Sequence, residues 1–127
     1  MLYHFNLGTF FMDVATTHHS RPALHYADGS CSYEEIAHWS SQIAMMLLER
    51  GIRQGDVIAI AHTKRPLSYA AMLGALRIGA PYVNVDVASP AARIGSILAT
   101  CQASVLLYDD VATEEQLARV STIFSCP

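Results

Sequence analysis

The stretch Leu76-Arg77-Ile78-Gly79-Ala80-Pro81-Tyr82-Val83-Asn84-Val85-Asp86 joins the end of one helix directly to a short apolar strand. Gly79 suits the left-handed position just past a helix end because it has no Cβ to clash, and Pro81 prevents the helix from resuming. Tyr82 to Val85 then offers aromatic and β-branched residues in a run too short for a helix. A helix that feeds a strand through so tight a joint belongs to a layered α/β fold.

The same beat repeats on both sides. Val57-Ile58-Ala59-Ile60-Ala61 is a continuous apolar strand after the turn Gln54-Gly55-Asp56, and Pro66 can be the first residue of a helix running to Ile78. After the joint, Ser89-Pro90 reads as an N-cap followed by an N1 proline, opening a helix to about Cys101 with Ile94, Ile97, Leu98 and Cys101 inward. Val105 to Tyr108 is the next strand. Thr113-Glu114-Glu115-Gln116 then leads into a last helix carrying Leu117, Val120 and Phe124. Continuous apolar strands alternating with helices imply an open, mostly parallel sheet covered on both faces and joined by right-handed crossovers.

Upstream, Asn6 can cap a helix to about His18, with Leu7, Phe10, Phe11 and Val14 on one face, and Pro22 ends it. Ala23 to Tyr26, the Asp28-Gly29 turn and Ser30-Cys31-Ser32 suggest a short N-terminal β-hairpin. Ser32 then opens the clearest helix: Ser-x-x-Glu to Glu35 is a capping box, and Glu34 and Glu35 favour the positive end of the helix dipole. Tyr33, Ile36, Ala37, Ser40, Ile43, Ala44, Leu47 and Leu48 form its apolar stripe, and Gly51 ends it.

At 127 residues with no internal repeat or low-complexity linker, residues 1–127 fit one domain or part of one. A net charge of −3 gives no reason to expect nucleic acid. No apolar run approaches the roughly 20 residues that cross a bilayer, and Met1 to Met12 lacks the features of a secretory signal. A soluble cytoplasmic protein is the expectation, with neither nucleic acid nor membrane as partner. Cys31, Cys101 and Cys126 are too widely spaced for a zinc site or disulfide framework and read as free thiols. His18 and His19 point roughly 100° apart on a helix, so they read as a solvated helix end rather than a metal pair.

The Pro66 helix is unusual in being apolar nearly all round, with Ser68 and Arg77 its distinctly polar residues. Such a helix belongs in the interior of something larger, so part of its cover is expected from another chain or from sequence outside this one.

Chemistry is harder to find. The sequence holds no G-x-G-x-x-G, no G-x-x-x-x-G-K-[ST], no G-x-S-x-G and no H-E-x-x-H. What remains are polar residues at predicted carboxyl ends of strands, where open α/β sheets place ligand crevices. His62-Thr63-Lys64-Arg65 and Asp86 could line one, with Lys64 and Arg65 facing an anion. The plainer reading is a solvated loop, with Asp86 bracing the turn before Ser89-Pro90. Asp109 and Asp110 are adjacent and read as solvated, without the separation that paired acid/base work needs.

The segment from Arg21 to Asp109, about two-thirds of the chain, resembles the start of the adenylate-forming superfamily, which includes nonribosomal peptide synthetase adenylation domains and D-alanine–carrier-protein ligases. Asp28-Gly29-Ser30-Cys31-Ser32-Tyr33-Glu34-Glu35-Ile36 looks like its first core motif, and Gly51 to Ile60 like its glycine-aspartate strand entry. Leu76 to Asp86 looks like its second motif, with Arg77 for the usual lysine and Asn84 for the usual proline, and Ser89-Pro90-Ala91-Ala92-Arg93-Ile94 continues as the family does.

The resemblance implies an incomplete N-terminal subdomain of the adenylate-forming fold, a truncated, structural portion of an ATP-dependent, carboxylate-activating ligase. Such enzymes use ATP and magnesium and pass an acyl group to a carrier protein or coenzyme A. Their phosphate loop, nucleotide-binding motifs and catalytic lysine have no counterpart in these 127 residues. So no cofactor is expected to be bound by this chain, and no catalytic, cofactor-binding or metal-ligating residue is assigned by number. The expected partner is the remainder of the adenylating enzyme, or a second copy through exposed apolar surface. Two alternatives stand beside it: a stand-alone interaction or regulatory module that pairs with itself or a partner enzyme, and a flavodoxin-like nucleotide or receiver domain on fold pattern alone.

Overall fold

A computed structural model describes residues 6–109. Its elements follow the order α1 (Leu7–Thr17), β1 (Pro22–Tyr26), β2 (Gly29–Ser32), α2 (Tyr33–Glu49), β3 (Ile58–Ala61), α3 (Pro66–Arg77), β4 (Tyr82–Val85), α4 (Ala91–Cys101) and β5 (Val105–Leu107). The expected last helix, Asp110 and Cys126 lie outside the described residues.

Strands β1 and β2 form the antiparallel hairpin, while β3, β4 and β5 make a parallel sheet in the order β4-β3-β5. All four residues of the central strand are buried. Because side chains alternate across a strand, β3 sends Ile58 and Ile60 to one face and Ala59 and Ala61 to the other. The isoleucines meet Leu47 of α2 and Ala71 and Ala75 of α3, whereas the alanines meet Val85, Ile94 and Leu98 under α4. Helices therefore cover both faces of one sheet, the arrangement expected from the alternation of elements.

The joint after α3 is stitched to the strand beside it. Gly79 takes φ +74°, and Ala80 N–H returns to the Ala75 carbonyl at 3.0 Å. Pro81 O then accepts from Ile58 N–H at 2.9 Å, and Gly79 O accepts from Gly55 N–H at 3.0 Å, so the end of α3 and the entry to β3 are set together. At α2 the capping box is complete: Ser32 Oγ accepts from Glu35 N–H and Glu35 Oε2 accepts from Ser32 N–H. Asn6 Oδ1 caps α1 by accepting from Thr9 N–H at 2.7 Å.

Three local expectations need correction. Leu7 and Phe10 do not face inward; the buried face of α1 is Gly8 and Ala15, because the helix lies so close to the end of α3 that a Cβ on Gly8 would sit 3.1 Å from Arg77 N. Leu48 on α2 is likewise exposed. Pro90 rather than Ser89 occupies the N-cap of α4, since its ψ of 139° is extended and the helix begins at Ala91. The apolar helix α3 is covered by this chain in part: Ser68, Ala70, Ala71, Gly74 and Ala75 are buried under α2, α1 and the sheet, while Leu67 is left 46% exposed. The remaining large exposed apolar side chains sit on its neighbours, at Leu7, Phe10, Met45, Leu48 and Tyr108.

Candidate functional site

The chain leaves β3 toward α3 on one face of the sheet and leaves β4 toward α4 on the other. Two adjacent parallel strands whose following loops diverge leave a crevice at their carboxyl ends, the usual ligand position in open α/β sheets. Here it has a volume of ≈ 390 Å³ and is lined by His62, Thr63, Lys64, Asn84, Val85 and Asp86. The residues flagged in the sequence thus converge, with the exception of Arg65, which turns away to pair with Asp28 of the hairpin turn at 3.4 Å. That pair is exposed, and pairs of this kind contribute little.

The loop walls are set by hydrogen bonds to three elements. His62 N–H donates to Val85 O of β4 at 3.2 Å. Thr63 N–H donates to Ser68 Oγ in the first turn of α3 at 3.0 Å, and Thr63 Oγ1 donates to Asp109 Oδ2 just past β5 at 2.7 Å. Ser68 is 4% exposed, and its hydroxyl also meets Thr63 Oγ1 at 3.2 Å, so a polar group buried in an apolar helix is satisfied by the loop it holds. Asp109, expected to be solvated, is half-buried and works as a brace; the reason is that β5 ends beside the β3 loop, a juxtaposition of residues 46 positions apart that no local pattern encodes.

On the opposite wall Asp86 Oδ1 accepts from Ala88 N–H at 2.9 Å, and Asp86 O accepts from Ser89 N–H at 3.0 Å. Bracing the turn is therefore one of its roles, as the sequence favoured. His62 stands edge-on to Tyr69, with ring centroids 4.8 Å apart, and its Nδ1 accepts from Lys64 N–H at 3.0 Å. Burial first, then the neighbouring Lys64 ammonium, holds its pKa below the ordinary histidine value against an opposing pull from the Asp109 carboxylate.

A second cavity was not anticipated. Between α2, α3 and the ends of β3 and β5 lies an apolar recess of ≈ 170 Å³ walled by Ile43, Met46, Ile60, Leu67, Ala71 and Leu107, with Ser68, Tyr108 and Asp109 also lining it. Its residues come from separate elements along the chain, so the only sequence signal for it was the unusual apolarity of α3.

The charges of the crevice are mixed. Lys64 is the single cation in its lining among the described residues, Asp86 opposes it across the gap, and neither loop carries a glycine. Elsewhere, His18 closes α1 and His19 is exposed, while Cys31 is buried with its thiol pKa raised by burial and by Glu35. No helix among the described residues is long and apolar enough to cross a membrane.

Residues 11–125 match the family described as AMP-binding enzyme. Among curated proteins, the chain is 37% identical over 95 residues to the nonribosomal peptide synthetase tpzA of Aspergillus terreus, covering 75% of this chain and 4% of the synthetase. It is 31% identical over 113 residues to the nonribosomal peptide synthetase-like enzyme fsqF of Aspergillus fumigatus, covering 89% of this chain and 8% of that enzyme. Among solved structures, the N-terminal subdomain of Klebsiella oxytoca NpsA in complex with anthranilyl-AMSN superposes with a TM-score of 0.76 at 30% identity, over 83% of this chain and 28% of that one. VinN superposes over the whole chain and 33% of its own, with a TM-score of 0.88 at 19% identity, a likeness of fold alone. The chain thus spans a small part of the length of the proteins it matches.

Proposed function

Because this chain belongs to the AMP-binding, adenylate-forming enzyme family, corresponding to its N-terminal portion, we propose that residues 1–127 serve as framework for an ATP-dependent carboxylate-activating enzyme. ATP and magnesium are held by sequence outside this chain, and the acyl group passes to a carrier protein or coenzyme A in the cytoplasm. The observation that carries this reading is the match across residues 11–125 combined with a crevice of mixed charge. The braces at Ser68, Asp86 and Asp109 support it: the polar groups at the sheet's carboxyl edge hold loops in shape, which is framework work.

The test is ATP–pyrophosphate exchange. The isolated chain is expected to show none with any amino or aryl acid, while a related adenylation domain carrying residues 11–125 in place of its own segment retains exchange. Exchange by the chain alone, or a folded chimera without it, overturns the proposal.

One observation favours a second reading, a self-associating module: Leu7, Phe10, Met45 and Leu48 are all about half exposed or more. Size-exclusion chromatography separates the two. A discrete, concentration-independent oligomer supports the module, and a polydisperse species supports framework lacking its cover.

A further inference from the structure

Two non-glycine residues of the described chain have positive φ, Lys64 at 61° and Gln102 at 51°. Gln102 closes α4 as its left-handed C-cap, with its N–H on Leu98 O. Lys64 closes no helix; it sits between β3 and α3 at the lip of the crevice. A left-handed backbone is strained for a residue with a Cβ, so something nearby must offset it.

The offset is visible in the loop. The left-handed turn brings Lys64 N–H onto Nδ1 of His62 at 3.0 Å. The imidazole is held in place by its edge-on contact with Tyr69 of α3, and the backbone that carries it by the His62 N–H on Val85 O of β4 and by Thr63, which is tied to Ser68 and Asp109. An Nδ1 that accepts a hydrogen bond carries no proton, so the ring is the neutral Nε2–H tautomer.

We infer that His62 is a positioning residue, which holds Lys64 in its left-handed conformation at the crevice and releases it when the imidazole is protonated. Protonation puts an N–H where the acceptor was, opposite another N–H, and adds a positive charge beside the Lys64 ammonium. The turn then loses its compensation and Lys64 relaxes toward the ordinary backbone region. The titratable and charged groups facing the ring are Lys64 on its own loop, Tyr69 of α3 and Asp109 from the end of β5, with Asp86 on the far wall of the crevice. Burial and Lys64 favour the neutral, holding form at neutral pH. The inference rests on loop geometry and is independent of the adenylate-forming reading, whose test has a different readout.

The experiment is a pH titration of the ¹⁵N-labelled 127-residue chain by NMR from pH 8 to 5. It follows the His62 ring nitrogens together with the amide resonance and HN–Hα coupling of residues 64 and 102. At neutral pH His62 Nδ1 is expected to resonate as an unprotonated acceptor. Lys64 should lose its left-handed signature in step with a His62 midpoint below 6.5, while Gln102 keeps its own. Lys64→Gly, which takes positive φ without steric cost, should keep the turn through the whole range. A protonated Nδ1 at neutral pH, or a Lys64 signature that ignores the titration of His62, overturns the inference.

Discussion

The two faces of β3 solve the same packing problem differently. On one, Ile58 and Ile60 fill the space beneath two helices that touch each other as well as the sheet; on the other, Ala59 and Ala61 let the single helix α4 settle close, with Ile94 and Leu98 supplying the bulk. The two-helix face is held by a helix–helix contact with no slack: a Cβ on Gly74 would lie 2.9 Å from Ser40 O and 3.2 Å from Ile43 Cγ2. Arg77 Nη1 also donates to Ser41 Oγ across the same seam. Where the bulk sits thus determines how freely each face can relax.

Matched truncations break or sharpen that contrast. Leu47→Ala, from a side chain with no exposure, should cost about 4 kcal/mol in urea unfolding, and Leu98→Ala under the lone helix about 3, because α4 can sink into the space while α2, pinned on α3, cannot. Equal losses would show that both faces are equally stiff. Gly74→Ala is next: the helices must part against backbone rather than a flexible tip, and about 2 kcal/mol should be lost by the same measurement.

At the top of β3, where the two faces meet, His62 makes stability depend on pH. Its folded pKa lies below the unfolded value, so the unfolded chain takes up the proton first. The contribution is fully present above pH 6.5 and is lost as pH falls through that value toward the folded pKa. The urea midpoint should therefore drop between pH 7.5 and 5.5 in the native chain, and drop less in His62→Gln. The smallest effect is a gain on the α4 face: Gln102→Gly removes the left-handed strain at its C-cap and should add about 0.5 kcal/mol, read as a higher thermal midpoint.

Much of the architecture was legible because its signals are local. The Ser32 box, the N1 proline at Pro66 and the Gly79-Ala80-Pro81 joint each specify a backbone conformation through chemistry within a few residues, and each stands where the pattern placed it. The misreadings fall where a distant neighbour decides. Leu7 and Phe10 have helical spacing with Phe11, yet α1 turns Gly8 inward because the end of α3 leaves room for nothing larger. At the site, His62, Lys64 and Asp86 could be proposed from their place after strands, but Arg65 went to Asp28, and the part played by Asp109 depends on β5 ending beside the β3 loop. Ser68 reads as a stray polar residue in an apolar helix until the loop it anchors is seen.

Strand β5 is one of the two borders of the parallel sheet among the described residues, three residues long and half-buried throughout. Val-Leu-Leu carries neither charge nor proline, so its shortness is the device that guards this border against unwanted strand addition. Three residues leave little backbone for a stray ribbon to grip, so lengthening this apolar run is expected to raise the tendency to aggregate, a cost the brief strand keeps low.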